Sequence, residues 1–268
     1  MSEHSELLQH NATMWDRRVL AGCRWTIPVE PAEIARARSG QPKIILTPQK
    51  AVPNFWLTDL AGKDVLMLAS GGGQQTPIIA ATGANVTVLD FSPNQLQRDQ
   101  EVADRDGLSI RTVQGSMDDL SKFDDETFDL VIHPCSNSFI PDVKPVWKEA
   151  ARVLRPNGEM LSGFCNPLIF LFDDRQLQQG RLVVRFRIPY SDLEQLSEQE
   201  RMEMAEQNEP YCFGHTLADL IGAQTQAGLA IIDFYEDRWG PGAYEVLDQH
   251  IASFIATRSR KLQSSGMA

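Results

Sequence analysis

VLMLASGGGQQTPIIAATGANVTVLD, residues 65–90, runs from an apolar segment through three glycines into a helix-compatible stretch, then into a second apolar run that ends on Asp90. That order is strand, tight turn, helix, strand, carboxylate. An α/β sheet that builds a nucleoside cleft at the carboxyl ends of its strands has this order. Gly71, Gly72 and Gly73 allow positive φ and a close approach of backbone to ligand. The helix behind them is expected to offer unpaired N–H groups to an anion. Asp90, at the end of the second strand, is placed to accept both hydroxyls of a ribose. Taken alone, the glycines also fit a ligand-free turn, and Asp90 also fits an acidic residue held by a helix dipole. Their joint spacing favours the ribose.

Outward from this stretch the alternation continues. Strands are expected at 63–68, 85–89, 109–114, 128–133 and 159–164, with helices at 76–82, 93–105 and 143–154. Ser92-Pro93 marks the start of the second of these helices. Beyond 165 the pattern breaks into an apolar run (LIFLF), a strand-like segment at 181–188 and a glutamate-rich helix at 192–208. A helix at 216–227, started by Thr216 and stopped by Gly228, then precedes strands at 229–235 and 250–257. Two strands joined by a short loop pair antiparallel. The expected fold is therefore α/β: a doubly wound, mostly parallel seven-stranded sheet with a C-terminal antiparallel hairpin. Residues 1–60, with Trp15 and Trp25 on a helix and a loop, read as an N-terminal helical cap. Residues 61–268 read as the core, with a lid insertion after strand five at about 166–212.

The bulk numbers narrow the function. The chain has 268 residues, 42% of them hydrophobic, enough for one large domain with a core. A net charge of −11 speaks against a nucleic-acid partner, which calls for a basic face. No apolar run reaches the ~20 residues of a membrane helix, and MSEHSELLQHNATMW lacks the basic-then-apolar pattern of a secretory signal. Cys23, Cys135, Cys165 and Cys212 are far apart in sequence, with no zinc-like spacing, so no metal site is expected and a cytoplasmic setting is the simplest. The third glycine of G-x-G-x-x-G is absent, since Thr76 stands there, and no Lys-Ser/Thr pair follows. Both points weaken a dinucleotide or ATP.

Five segments in order carry a resemblance. They are Val65–Gly73, Asp90-Phe91-Ser92-Pro93-Asn94-Gln95-Leu96, Gly115-Ser116-Met117, Phe128-Asp129-Leu130-Val131 and Arg152-Val153-Leu154-Arg155-Pro156-Asn157-Gly158. Over about residues 60–165 the chain resembles a class I S-adenosylmethionine-dependent methyltransferase of the small-molecule type. The resemblance implies S-adenosyl-L-methionine as cofactor and a small-molecule substrate. It implies that Ala69, Ser70 and Gly71 run beside the methionine part, Asp90 holds the ribose, and Phe91 and Gln95 flank the adenine. Ser116 and Met117 would meet the adenine edge, His133 would sit near the sulfonium, and Trp15 would close the site. Three positions depart from the family pattern: Met67 for an acidic residue, Ala69 for a glycine (tolerable with φ negative), and Ser116 for an aspartate. Gln74 and Gln75 could supply polar contacts to the methionine end.

Methyl transfer needs a positioned nucleophile and, for some acceptors, removal of a proton. His133 and His215 are the candidate general bases, because histidine titrates near neutrality. Each also fits a plainer role, as a strand-end or helix-start residue. Aromatic residues of the insertion (Phe170, Phe186, Tyr190 and others) suit either a pocket under the lid or the insertion's own small core. Two rival functions remain on the same sheet: a protein that binds the cofactor without transferring methyl, and a nicotinamide oxidoreductase.

Overall fold

In the computed structural model, which describes residues 3–242 and 244–263, the chain opens with α1 (Glu3–Leu20) and α2 (Pro31–Arg38). The alternating unit follows as β1 (Asp64–Leu68), α3 (Gln75–Ala80), β2 (Asn85–Asp90), α4 (Pro93–Asp106), β3 (Ile110–Gln114), β4 (Phe128–His133), α5 (Lys144–Val153) and β5 (Leu154–Cys165). The insertion holds α6 (Asp174–Leu177), β6 (Tyr190–Ser191), α7 (Asp192–Gln195), α8 (Glu198–Glu206) and β7 (Phe213–Gly214). The chain ends with α9 (Ala223–Gln226), β8 (Leu229–Asp237), α10 (Glu245–Asp248) and β9 (Phe254–Lys261). Seven strands form one sheet in the order β3-β2-β1-β4-β5-β9-β8, and β6 pairs with β7. The first five are parallel; β9 runs antiparallel to both β5 and β8.

β1 and β2 are near-continuous apolar runs because both faces of a parallel sheet are covered. On one face Trp147, Val146 and Ala150 of α5 pack on Leu66, Leu68, Val131 and Met160. On the other, Ile34 and Ala37 of α2 join Ile44, Leu46, Val52 and Trp56 against Val65, Met67, Val88 and Ile132. Residues 34–57 are thus part of the main core. Met67 is wholly buried in that cluster, which accounts for an apolar side chain at that position. α4 starts where Ser92 Oγ accepts the Gln95 N–H at 3.2 Å and stops at Gly107, φ +63°.

The sequence-based boundaries shift in four places, each for a local reason. β9 begins at Phe254, four residues later than expected, because Asp248 accepts from Trp239 N, Gly240 N and Ser253 Oγ at 3.1, 2.8 and 3.2 Å. That draws residues 250–253 into the loop. β5 begins at Leu154, five residues earlier than expected, and residues 155–158 bulge from it. The segment 181–188 makes one bridge, Phe172 to Val184, and no strand. The helix expected at 192–208 is divided, because Ser197 and Glu200 form a capping box that starts α8 afresh. Among the described residues no helix is long and apolar enough to cross a membrane.

Candidate cofactor site

From β1 the chain turns through Ala69–Gly73 into α3. Ala69, Gly71 and Gly73 take positive φ, at +44°, +76° and +72°. The expectation of a negative φ at Ala69 is therefore corrected: its Cβ sits in the left-handed region at a cost of about 1–2 kcal/mol. Gly72 lets α4 lie against the turn, since a Cβ there would stand 2.4 Å from the Gln95 carbonyl oxygen. The Gly72 N–H donates to Gln95 Oε1 at 2.7 Å and the Gly73 N–H to Asp99 Oδ1 at 2.9 Å. The Gly72 and Gly73 amides are thus satisfied inside the protein. Asp99 is itself buried, and burial pushes its carboxyl well above the usual range.

The turn lines one side of a cavity of about 240 Å³. Trp15, Ala69, Ser70, Gly71, Gln74, Gln75, Asp90, Phe91, Gln95, Ser116 and Met117 all line it. Asp90 accepts the Ser92 N–H at 2.9 Å with one oxygen. Burial pushes its carboxyl up to about 7, the Ser92 hydrogen bond opposing and the nearby Asp16 reinforcing the rise. Asp16 reaches over from α1 to accept from Ser92 Oγ at 2.5 Å and Asn94 N at 3.2 Å. Ser116 donates to Asp118, and His4 pairs with the other oxygen of Asp118 at 2.8 Å. Gln74 and Gln75 do more than line the cavity. Gln74 Nε2 donates to the carbonyls of Arg24 and Ile27 at 2.9 and 3.1 Å, and Gln75 Oε1 accepts from Ile45 N at 2.9 Å. Both fasten the N-terminal segment across the turn.

Two N-terminal pieces cover the cavity. Leu8, Asn11, Ala12 and Trp15 face it from α1. Asn11 Nδ2 donates to the carbonyls of Phe139 and Tyr211 at 2.9 and 3.1 Å, and its Oδ1 accepts from Tyr211 N at 2.8 Å. Trp15 meets Phe139 edge-on with ring centroids 5.1 Å apart. The second piece, 45–48, crosses the carboxyl end of the sheet, where Thr47 Oγ1 donates to Asp237 at 2.8 Å. Gly163 is required beneath it, because a Cβ there would stand 2.1 Å from the Leu46 carbonyl.

Over β4 and β5 the lining is Pro134, Cys135, Ser136, Ser138, Phe139, Ile140 and Cys165, with Trp239 and Phe254 beyond. Neither candidate base is among these residues. His133 is wholly buried beside Trp147, its Nδ1 3.1 Å from the Leu68 carbonyl. Burial pushes its pKa down to about 4. His215 is buried too, with Nε2 2.9 Å from the Asn137 carbonyl, and burial lowers its pKa. The insertion's aromatic residues also stay off the cavity: Phe170 and Phe186 pack on Tyr190 at 5.5 and 5.1 Å.

Sequence reasoning missed Leu8, Asn11, Ala12, Trp25, 45–48, Cys165, Trp239 and Phe254. The α1 set was within reach, because 8, 11, 12 and 15 is the i, i+3, i+4, i+7 stripe of one helix face. The others come from separate parts of the chain with no local signal.

Comparison with known proteins bears on the same region. A family described as "Methyltransferase domain" matches residues 66–162. The uncharacterized methyltransferase YbaJ of Bacillus subtilis (strain 168) is 50% identical over 256 residues, 96% of this chain and 99% of that one. Among solved structures, an S-adenosylmethionine-dependent methyltransferase from Mesorhizobium loti matches with a TM-score of 0.58 at 17% identity, covering 77% of this chain and 94% of that one. The Burkholderia thailandensis 1,6-didemethyltoxoflavin-N1-methyltransferase, solved with its acceptor and S-adenosylhomocysteine, matches with a TM-score of 0.57 at 14% identity, covering 98% and 92%.

Proposed function

The chain belongs to the class I S-adenosylmethionine-dependent methyltransferases, and on that premise we propose that it methylates a small, largely apolar molecule seated over β4 and β5. One observation carries the proposal. Among the described residues lining the cavity, Asp90 is the one Asp, Glu, Lys, Arg or His, while the β4–β5 half carries Leu46, Phe139, Ile140, Trp239 and Phe254 beside the small side chains of Cys135, Ser136, Ser138 and Cys165 and is covered by α1. A concave, largely apolar pocket suits a small acceptor better than a macromolecule's surface.

The same lining supports the division of the site. Asp90, at the end of β2 and lining the cavity, holds the ribose hydroxyls. Phe91, Gln95, Ser116 and Met117 take the adenine, and Ala69, Ser70, Gly71 and the Gln75 amide take the methionine end. When bound, the cofactor supplies an electrophilic methyl group on a sulfonium. Trp15 and Phe139 exclude water above it. Neither His133 nor His215 is assigned the task of a base, because both are buried away from the cavity with carbonyl partners. The acceptor then brings a nucleophile that carries its lone pair at neutral pH, and the protein's contribution is position. A cytoplasmic setting fits the four free thiols.

The test uses methyl-labelled S-adenosylmethionine, the purified protein and a fractionated cell extract. Label is expected in the low-molecular-weight fraction. Label confined to protein or nucleic acid overturns the proposal.

A further inference from the structure

Cys135 and Cys165 meet where the ends of β4 and β5 come together. Their Sγ atoms are 3.5 Å apart, both residues line the cavity, and both thiols are free. The pair is fixed from two sides. The Cys135 N–H donates to the Leu46 carbonyl at 3.0 Å, and Cys165 is held in β5 opposite Phe254 of β9. Phe254 lies opposite Cys165, and Ile140 and Trp239 line the same cavity as apolar wall.

We propose that Cys135 and Cys165 form a dithiol site for a single thiophilic atom, and that the ligand chemistry it fits is a monosubstituted trivalent arsenic compound. Soft sulfur donors select soft centres. Such a compound has two exchangeable oxygen positions and one organic substituent. Two thiols satisfy the first, and the apolar wall takes the second. In the exchange, two S–H and two As–O bonds break and two As–S bonds form. The thiol protons leave with the arsenic-bound hydroxyls as two waters. Arsenic stays trivalent, and no electron is transferred.

The alternatives fit less well. A zinc site needs about four donors, and among the described residues no group of three or more His, Cys, Asp or Glu stands together. A disulfide would need an oxidant and a reactive thiolate. The Cys135 thiol beside it and burial hold the Cys165 thiol well above its ordinary range, so that it stays protonated. The other two cysteines lie outside the cavity: Cys23 is 3.8 Å from an Arg18 nitrogen, and Cys212 is 3.8 Å from the Pro210 carbonyl.

Phenylarsine oxide, added to the full chain at one equivalent, tests the site. Intact mass should show one adduct that survives excess monothiol and is removed by a dithiol. Alkylation of the treated wild type, followed by peptide mapping, should find Cys135 and Cys165 protected and Cys23 and Cys212 modified once the chain is denatured. Cys135→Ser and Cys165→Ser should each abolish the monothiol-resistant adduct, while a Cys23→Ser/Cys212→Ser double variant keeps it. The wild-type protection map does not depend on whether a variant folds. No adduct on wild type, protection of other cysteines, or a resistant adduct on either Ser variant overturns the proposal.

Discussion

Asp90 concentrates the chemistry of the site on one carboxyl. With its pKa pushed to about 7 by burial, it is only partly ionised at neutral pH. Ribose hydroxyls donate to the ionised form, so affinity for S-adenosylhomocysteine should rise between pH 6 and 8 and then level. Two charge-assisted hydrogen bonds at about 1.5 kcal/mol each correspond to about a 100-fold weaker Kd for Asp90→Ala. Titration calorimetry across that range checks both, and a flat wild-type profile or unchanged affinity in the variant removes the ribose role. A neighbouring residue makes a separate prediction. Ala69 holds φ +44°, so Ala69→Gly relieves about 1–2 kcal/mol of strain and loses about 0.4–1 kcal/mol to the freer unfolded chain. The urea midpoint should rise slightly; a fall would show that the Ala69 methyl contributes packing that outweighs the strain.

At the level of elements, α1 is the piece that shapes the cavity, and Asn11 is its tie to both the loop after β4 and the insertion. Asn11→Ala leaves the Tyr211 N–H and two carbonyls unpaired beneath the helix, a loss of about 1–3 kcal/mol. If α1 covers the cofactor, that loss should appear as faster release of S-adenosylhomocysteine and earlier proteolytic cleavage within 3–20. Release and cleavage at wild-type rates would mean that α1 is a passive part of the wall. The α1 stripe could be read in the sequence because helical spacing is local, and so could β1 to β5, whose apolar runs and caps are local too. Gln74 and Gln75 could not be read the same way: their partners are backbone groups of Arg24, Ile27 and Ile45, which no side-chain pattern marks. His133 was illegible for another reason. β4 is buried along most of its length, so period-2 alternation gives no sign of which face a strand-end residue takes.

Across the whole molecule, buried titratable groups tie stability to the site. Asp90 (about 7) and Asp99 (well above its usual range) hold protons in the folded state that the unfolded chain, near 3.9, has released. Both contribute stability that is full below about pH 4 and is lost as pH rises. His133 acts in the opposite sense: at about 4 in the fold against ~6.5 unfolded, its contribution is lost as pH falls below ~6.5. Between about pH 4.5 and 6.5 these groups oppose one another, because burial also lowers His10 and His215 and raises Asp192; above ~6.5 the histidines are neutral in both states and only the raised carboxyls act, so stability falls as pH rises. Below about pH 4.5 the carboxyls of Glu200 and Glu159, held low by Arg185 and by Arg258 and Arg260, reverse the trend. The cofactor-free protein should accordingly resist urea better at about pH 6.5 than at about pH 8. Asp90→Asn removes one of the raised carboxyls, so the variant should gain on wild type as pH rises, even while it binds cofactor less well. Urea midpoints of both proteins at the two pH values decide the matter: wild-type stability that climbs between them, or a variant gap independent of pH, would mean that these carboxyls ionise without penalty in the fold.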